Sequence, residues 1–475
     1  MAEPRTAALP RVAVIGGGIT GLAAAAFLCG AAEGPARARV VLFESGGRLG
    51  GKLHSGEVGG VRVDLGAESM LARRPEAVGL ARAVGLGEAL QAPTTAKAAV
   101  WTRGALRPLP AGQLMGVPGD LGALAASGVL TEAGLDRARQ ERAARFGEDT
   151  SIGGYVADRL GREVVDRLVE PLLGGVYAGR AEEISLRAAV PQLLAIAQGG
   201  GSLVEGVHEL LSRPSAGGPV FAGLPGGIGT LPLAVAEACR AAGAELRLDS
   251  PVGELRRTPQ GWLVDGEAYD AVLLTVPAPV AARLLAREAP AAAAELAGVE
   301  YAGMALVTMA FHRAELPAPP PGSGFLVPPV DGRSIKAATF SSQKWGWLAE
   351  SAPEAFLLRT SLGRHREEAA LDLDDAELVR RSLADLREAV GLTAVPYATA
   401  VTRWRAGLPQ YPVGHQDRVA RIRAAARATG GLALAGAAFD GVGIPACVGS
   451  ARRAAEEVVT SCQGQGERRE NEDHD

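Results

Sequence analysis

The stretch Arg11-Val-Ala-Val-Ile15-Gly16-Gly17-Gly18-Ile19-Thr20-Gly21-Leu22 decides how this chain begins. Val12 to Ile15 read as a short buried strand, the glycines as a tight turn, and the Ala-rich run from Leu22 to Leu28 as a helix. In that context GxGxxG has a physical meaning. Gly16 permits the turn, Gly18 lets backbone N–H groups approach a diphosphate, and Gly21 lets helix and strand pack closely, with the helix N-terminus facing negative charge. A second strand, Val40 to Phe43, ends at Glu44 and Ser45, where a carboxylate suits ribose hydroxyls. The 21 residues from Val12 to Ala32 carry no charge. The glycines break that run after four apolar residues, and no basic n-region or cleavage site precedes it, so it reads as a strand–turn–helix rather than a membrane span.

Immediately after Glu44 comes Gly47-Arg48-Leu49-Gly50-Gly51-Lys52. Gly50 and Gly51 bring backbone alongside phosphate, and Arg48 can neutralise it. Taken by themselves these residues leave three readings open: a flavin dinucleotide, an NADP whose 2′-phosphate meets Arg48, and a plain glycine turn with a solvated arginine.

Composition sets the bounds. The 475 residues are 47% hydrophobic and 21% charged, with 63 Gly and 30 Pro, so a large core with many turns is expected and wholesale disorder is excluded. A formal charge of −4, from 49 basic and 53 acidic residues, carries no footprint of a nucleic-acid binder. Cys29, Cys239, Cys447 and Cys462 form no CxxC and the histidines no paired-ligand spacing, so neither a disulfide framework nor a metal site is expected, and a cytoplasmic location is. Only four of the 49 basic residues are lysine: Lys52, Lys97, Lys336 and Lys344.

Further motifs narrow the reading: Glu170-Pro-Leu-Leu-Gly-Gly-Val-Tyr-Ala-Gly179, Leu224-Pro-Gly-Gly-Ile-Gly-Thr-Leu231, Arg403-Trp404, Leu408-Pro-Gln-Tyr-Pro-Val-Gly-His415 and Ala435-Gly-Ala-Ala-Phe-Asp-Gly-Val-Gly-Ile-Pro445. With GxGxxG, Glu44 and RxGG, they resemble the FAD-binding half of the flavin amine oxidase superfamily, and within it the oxygen-dependent porphyrinogen oxidases of haem synthesis. The resemblance runs in unbroken order over residues 10 to 460. It implies an α/β fold: a Rossmann-type FAD-binding domain, a mixed-sheet substrate domain and an inserted helical domain. The implied division begins with 1–91, the first FAD-binding segment and the start of the substrate domain, and 92–211, the helical and substrate-binding insertion. A second FAD-binding segment (212–285), the substrate-binding sheet (286–425) and a third FAD-binding segment (426–462) follow, with 463–475 a polar tail. Helix-period spacing over Tyr155 to Glu170, capped by Thr150 or Ser151, and strand-like runs Ala305–Phe311 and Ala355–Arg359 fit that plan; Glu315 to Pro329 reads as a long hairpin loop.

The resemblance also implies a non-covalent FAD held by Gly16, Gly17, Gly18, Ile19, Thr20, Gly21, Glu44, Ser45, Arg48, Gly50, Gly51 and Lys52, with Val252 at the adenine. Gly436, Asp440, Gly443, Ile444 and Pro445 form a second turn against the ribityl chain and the flavin's pyrimidine edge, before a helix expected from Ser450 to Thr460. Asp440 holds ribityl hydroxyls or closes a turn. No acid–base set stands out, as expected where the cofactor performs the hard step. Gly175 is expected to let a macrocycle approach, or else to end a helix; Arg73 is placed near propionates, or else solvated; His54 reaches the same pocket, or else is structural. The implied reaction passes hydride from a porphyrinogen bridging carbon to flavin, with dioxygen as acceptor and hydrogen peroxide as product. Coproporphyrinogen III is favoured over protoporphyrinogen IX, because the arginine-for-lysine composition resembles that of actinobacterial proteins, a lineage associated with the coproporphyrin-dependent route. A transient contact with another haem-pathway enzyme completes the expected partners. Carotenoid or amine oxidation on the same scaffold is the alternative, and the absence of lysine from the strand Gly303–Phe311 counts against an amine.

Overall fold

The computed structural model describes residues 9–143, 147–213, 217–316 and 318–472. The chain opens with β1 (Arg11–Ile15), α1 (Ile19–Cys29) and β2 (Arg39–Phe43), then forms the hairpin β3 (Ala98–Thr102) and β4 (Ala105–Pro108). A helical stretch follows that includes α2 (Ile152–Leu160) and α3 (Glu170–Tyr177). The chain returns through β5 (Glu245–Arg247) and β6 (Ala271–Leu274). It then builds β7 (Tyr301–His312), β8 (Gly324–Leu326), β9 (Ile335–Thr339), β10 (Ala355–Leu362), α4 (Asp375–Val390) and β11 (Ala398–Pro409). It closes with α5 (His415–Thr429), β12 (Leu432–Leu434) and α6 (Ile444–Glu472).

Two sheets organise these elements. The first is wholly parallel, in the order β5-β2-β1-β6-β12, so its strands come from the start, middle and end of the chain. Parallel strands need crossovers and burial on both faces, which is why β1, β2 and β6 read as unbroken apolar runs. α1 packs between α6 and the helix Thr230–Ala241, and all eleven of its residues are buried. The charge-free run of the sequence is therefore core, and no helix among the described residues is long and apolar enough to cross a membrane.

The second sheet is mixed, in the order β11-β7-β10-β9-β8-β3-β4. Every pair is antiparallel except β8 with β3. Ala305, Val307, Met309 and Phe311 of β7 join Leu378 and Leu386 of α4 in one core. By strand alternation Met304, Leu306, Thr308 and Ala310 point to the opposite face.

Several local expectations are corrected. The periodic run from Tyr155 to Glu170 is not one helix: α2, capped by Ser151, whose hydroxyl accepts from Gly154 N–H, stops at Gly161 with φ +99°. A π-helical turn, Val165–Val169, then leads into α3, with Pro171 in its first turn. The segment 92–211 begins with two strands of the mixed sheet before turning helical. Glu315–Pro329 is not simply a loop, because it contains β8; residue 317 lies outside the described residues. The last helix begins at Ile444, not Ser450, and runs through residues 463–472, where polar composition suggests a solvated tail; 473–475 lie outside the described residues.

Candidate functional site: a dinucleotide cradle facing a cationic cleft

The cradle is built at the C-terminal end of β1. Gly16 has φ +113°, and a Cβ there would lie 2.8 Å from Thr275 Oγ1, so only glycine fits the turn. At Gly21 a Cβ would fall 1.8 Å from the Gly16 carbonyl oxygen, so α1 can approach β1 only without one. Gly18 differs: a Cβ would meet nothing within 4 Å. It is the N-cap of α1 and offers no side-chain cap, leaving the first N–H groups of an 11-residue helix facing open space.

A second glycine loop lines the same opening. Gly50 N–H donates to the Gly17 carbonyl at 2.8 Å, and Gly18 bridges Gly50 in parallel fashion. Gly51, at φ +57°, lies so close to Gly18 that a Cβ would be 3.2 Å from its Cα. Glu44 ties the two loops together: its Oε2 accepts from Gly17 N–H and its Oε1 from Gly46 N–H, each at 2.8 Å, with Ser45 Oγ 3.3 Å from Oε1. Asp249 and Ser250 N–H groups donate to the Gly46 and Glu44 carbonyls, which holds the buried Val252 beside the end of β2. Arg48 is exposed, its guanidinium 6.0 Å from the Trp404 ring centroid, and burial pulls Lys52 below the usual lysine range.

The C-terminal turn closes the cradle. Gly436, at φ +127°, donates its N–H to Ser450 Oγ at 3.0 Å, and a Cβ on it would lie 3.6 Å from Thr20 Oγ1. The early residues of α1 and the turn before α6 therefore meet at one place. Gly443, Ile444 and Pro445 form the start of α6, with the Gly443 carbonyl accepting from Cys447 N–H at 3.0 Å. Asp440 is held from three sides: Arg423 and Ser450 donate to its Oδ2, and Arg453 donates to Oδ1 from 2.6 Å. Burial raises the Cys447 thiol.

Open space at an uncapped helix N-terminus, glycine loops pressed together, and a carboxylate at the end of β2 fit the diphosphate and ribose of FAD. Among the described residues no group of metal-ligating side chains occurs.

Beyond the cradle lies the face of the mixed sheet opposite α4. Trp404 and Met304 are register partners there, and Trp404 Nε1 donates to the Leu65 carbonyl at 3.1 Å. Gly175 is exposed within α3 and does not end that helix; Ala178, at φ +49°, does. A Cβ on Gly175 would lie 3.5 Å from Leu326 of β8, so α3 and the sheet face each other across this glycine. Its carbonyl lies in the last turn, where no later helical N–H can satisfy it. His54 lies half-buried near Arg48; burial, with that arginine, pulls its imidazole below the usual range. Arg73 is exposed, ahead of the helix Pro75–Ala83, and makes no ion pair among the described residues.

Lys344-Trp345 has no role that its local sequence discloses, and the structure supplies one. Lys344 Nζ pairs with Glu68 Oε1 while Arg359 Nε lies 3.1 Å from Glu68 Oε2, all three largely buried. Arg359 also donates to the Gly66 carbonyl at 2.7 Å. Lys344 and Glu68 lie 276 residues apart, a spacing no local pattern signals.

Residues 19–459 match the family model of the flavin containing amine oxidoreductases. The chain belongs to that family. It is 39% identical over 462 residues to the coproporphyrinogen III oxidase of Mycobacterium tuberculosis, covering 95% of this chain and 98% of that one. It is 32% identical over 466 residues to the coproporphyrinogen III oxidase of Bacillus subtilis, covering 94% and 98%. Among solved structures, an Exiguobacterium protein provisionally named a protoporphyrinogen oxidase superposes with a TM-score of 0.84 at 35% identity, covering 95% of this chain and 99% of that one. Family membership selects the flavin among the dinucleotides that the glycine loops left open, so the cofactor is FAD.

Proposed function

We propose that this protein is an FAD-dependent oxidase that converts coproporphyrinogen III to coproporphyrin III, with dioxygen as acceptor and hydrogen peroxide as product, in haem biosynthesis. The observation that carries this reading is the glycine-lined cradle of a flavin-family chain, together with Gly175, across which α3 and the mixed sheet face each other, in a chain 39% identical to a coproporphyrinogen III oxidase. When bound, FAD supplies the two-electron acceptor, and the cofactor remains non-covalent. The chain's own work is placement. The N-terminus of α1 and the two glycine loops hold the diphosphate, and Glu44 fixes the ribose. The start of α6 brings positive backbone potential to the flavin's pyrimidine edge, where reduction adds negative charge.

On the substrate side, Gly175 admits the macrocycle against α3 and offers its carbonyl to pyrrole N–H groups, while Arg73 and His54 are assigned to propionates at the rim. A propionate contact is similar in ground and transition states, so Arg73→Ala raises KM more than it slows flavin reduction. An amine substrate is disfavoured because β7 carries no lysine: its face away from α4 presents Met304, Leu306, Thr308 and Ala310, the last packed in a second core with Val58 and Trp345. The protein acts in the cytoplasm, with transient contact to another enzyme of the pathway. Anaerobic mixing with coproporphyrinogen III tests the reading: bleaching of the flavin at a rate compatible with turnover supports it, and a flavin that stays oxidised with every porphyrinogen rejects it.

A further inference from the structure

Lys336 is the second residue of β9, and the pairing of β9 with β10 slips there: Ile335 pairs with Leu362 and Ala337 with Ser361, leaving Lys336 as the extra residue of a bulge. Its side chain runs across β10 to β7, where Nζ lies 4.0 Å from Met304 Sδ. Met304 belongs to the β7 face directed away from the α4 core, and Trp404, its register partner, stacks towards Arg48 of the cradle. On the other side, Ala337 pairs with Leu326, the residue facing Gly175. The Lys336 ammonium therefore lies on this sheet face between the Trp404–Arg48 side and the Gly175 side.

This ammonium is unusual in being buried without a carboxylate. Lys336 is 6% exposed, and a thioether is its only polar partner among the described residues, a weak acceptor for a charge. Arg364, 8% exposed in the segment after β10, adds a second cation instead of compensating the first. It donates to the Val327 carbonyl at 3.1 Å and makes no ion pair among the described residues; Glu170 of α3 and Glu367 act on it only from beyond that distance. Two buried cations with no carboxylate in ion-pair contact are costly, and the chain elsewhere neutralises such charge directly, as it does with Glu68 between Lys344 and Arg359. In a chain that uses arginine for nearly every basic position, the lysine here also supplies a compact point charge rather than a wide fork. Burial, with Arg364 beside it, pulls Lys336 down to about 7, so an anion arriving there restores its full charge.

We propose that Lys336, supported by Arg364, is the interior carboxylate-binding site of the cleft and takes one carboxylate side chain of the macrocyclic substrate. The inference rests on the porphyrinogen reading above and adds to it a specificity-determining residue. A carboxylate seated there anchors the macrocycle between the flavin and Gly175, and a substrate with more carboxylates has more ways to fill the site.

The test uses the FAD-loaded enzyme and three variants, Lys336→Met, Lys336→Gln and Lys336→Arg. Methionine removes a buried unpaired cation at similar volume, so FAD content and melting temperature are expected to match or exceed wild type. For coproporphyrinogen III, KM is expected to rise about 10-fold or more in the methionine and glutamine variants, with partial recovery in the arginine variant. The anaerobic flavin-reduction rate at saturating substrate is expected to stay within about threefold of wild type. Equilibrium binding of the product porphyrin is expected to weaken in parallel. Unchanged KM and porphyrin affinity in two well-folded variants overturn the assignment. So does a fall confined to the reaction of reduced enzyme with dioxygen. If wild type itself fails to react with any porphyrinogen, the functional reading falls first, and the two failures are distinguished by the wild-type control.

Discussion

Arg359 Nε lies 3.1 Å from Glu68 Oε2, and Lys344 takes the other oxygen of the same carboxylate. One buried acid thus joins the segment after β2 to β10 and to the residues after β9. Removing it leaves two buried cations unpaired, so Glu68→Gln is expected to destabilise by about 3–5 kcal/mol, read as a lower melting temperature of the FAD-loaded protein. Burial pushes the Glu68 carboxyl up, but Arg359 and Lys344 pull it down further, and the net result lies below the usual range. A carboxyl depressed in the folded state stabilises above its unfolded pKa of about 4.3, and that contribution is lost as pH falls through the folded value. Wild type should therefore lose stability on acidification below about pH 5 more steeply than Glu68→Gln; parallel curves would contradict the assigned pairing.

Two glycines of the first turn should fail in different ways. Gly21→Ala forces a Cβ to 1.8 Å from a backbone oxygen that cannot move aside, so the protein should be destabilised by about 3 kcal/mol or fail to fold. Gly18 has ordinary extended backbone angles and nothing near its Cβ position, so Gly18→Val should fold. It should purify colourless, because the branched side chain occupies the space left for the diphosphate. A yellow, FAD-replete Gly18→Val protein would refute the cradle.

Asp440 is held by Arg423, Arg453 and Ser450, and Ser450 in turn fixes Gly436. Asp440→Asn should lower the melting temperature of apoprotein and holoprotein alike, by about 1–3 kcal/mol in stability, with secondary loss of FAD. Unchanged apoprotein stability with weakened FAD retention would instead make Asp440 a direct ribityl ligand.

The cofactor half of the fold is legible in the sequence because its requirements are local. Gly16, Gly21 and Gly50 are demanded by turns and close backbone approach, and the carboxylate that ends β2 follows at a spacing set by one βαβ unit. Such constraints leave residue types at fixed offsets. The helical stretch reads less well: apolar spacing over Tyr155–Glu170 continues through a break at Gly161 and a π-helical turn, because the core that both pieces face is one and the same. The start of α6 reads late, at Ser450 rather than Ile444, since glycines and a proline there mimic a loop while Pro445 in fact occupies a helix's first turn. The cleft side is least legible. Lys336, Arg364 and the Glu68 triad derive their surroundings from strands brought together across the mixed sheet, and in the sequence only the scarcity of lysine sets Lys336 apart.

The most direct test of the central claim compares kcat/KM for coproporphyrinogen III and protoporphyrinogen IX on one preparation, with dioxygen consumption and peroxide formation followed together. Dioxygen-dependent turnover without added nicotinamide is expected, with a preference of about 10-fold or more for the tetracarboxylate, worth about 1.4 kcal/mol in the transition state. A clear preference for the dicarboxylate protoporphyrinogen IX, or turnover that requires NADP under anaerobic conditions, would contradict it.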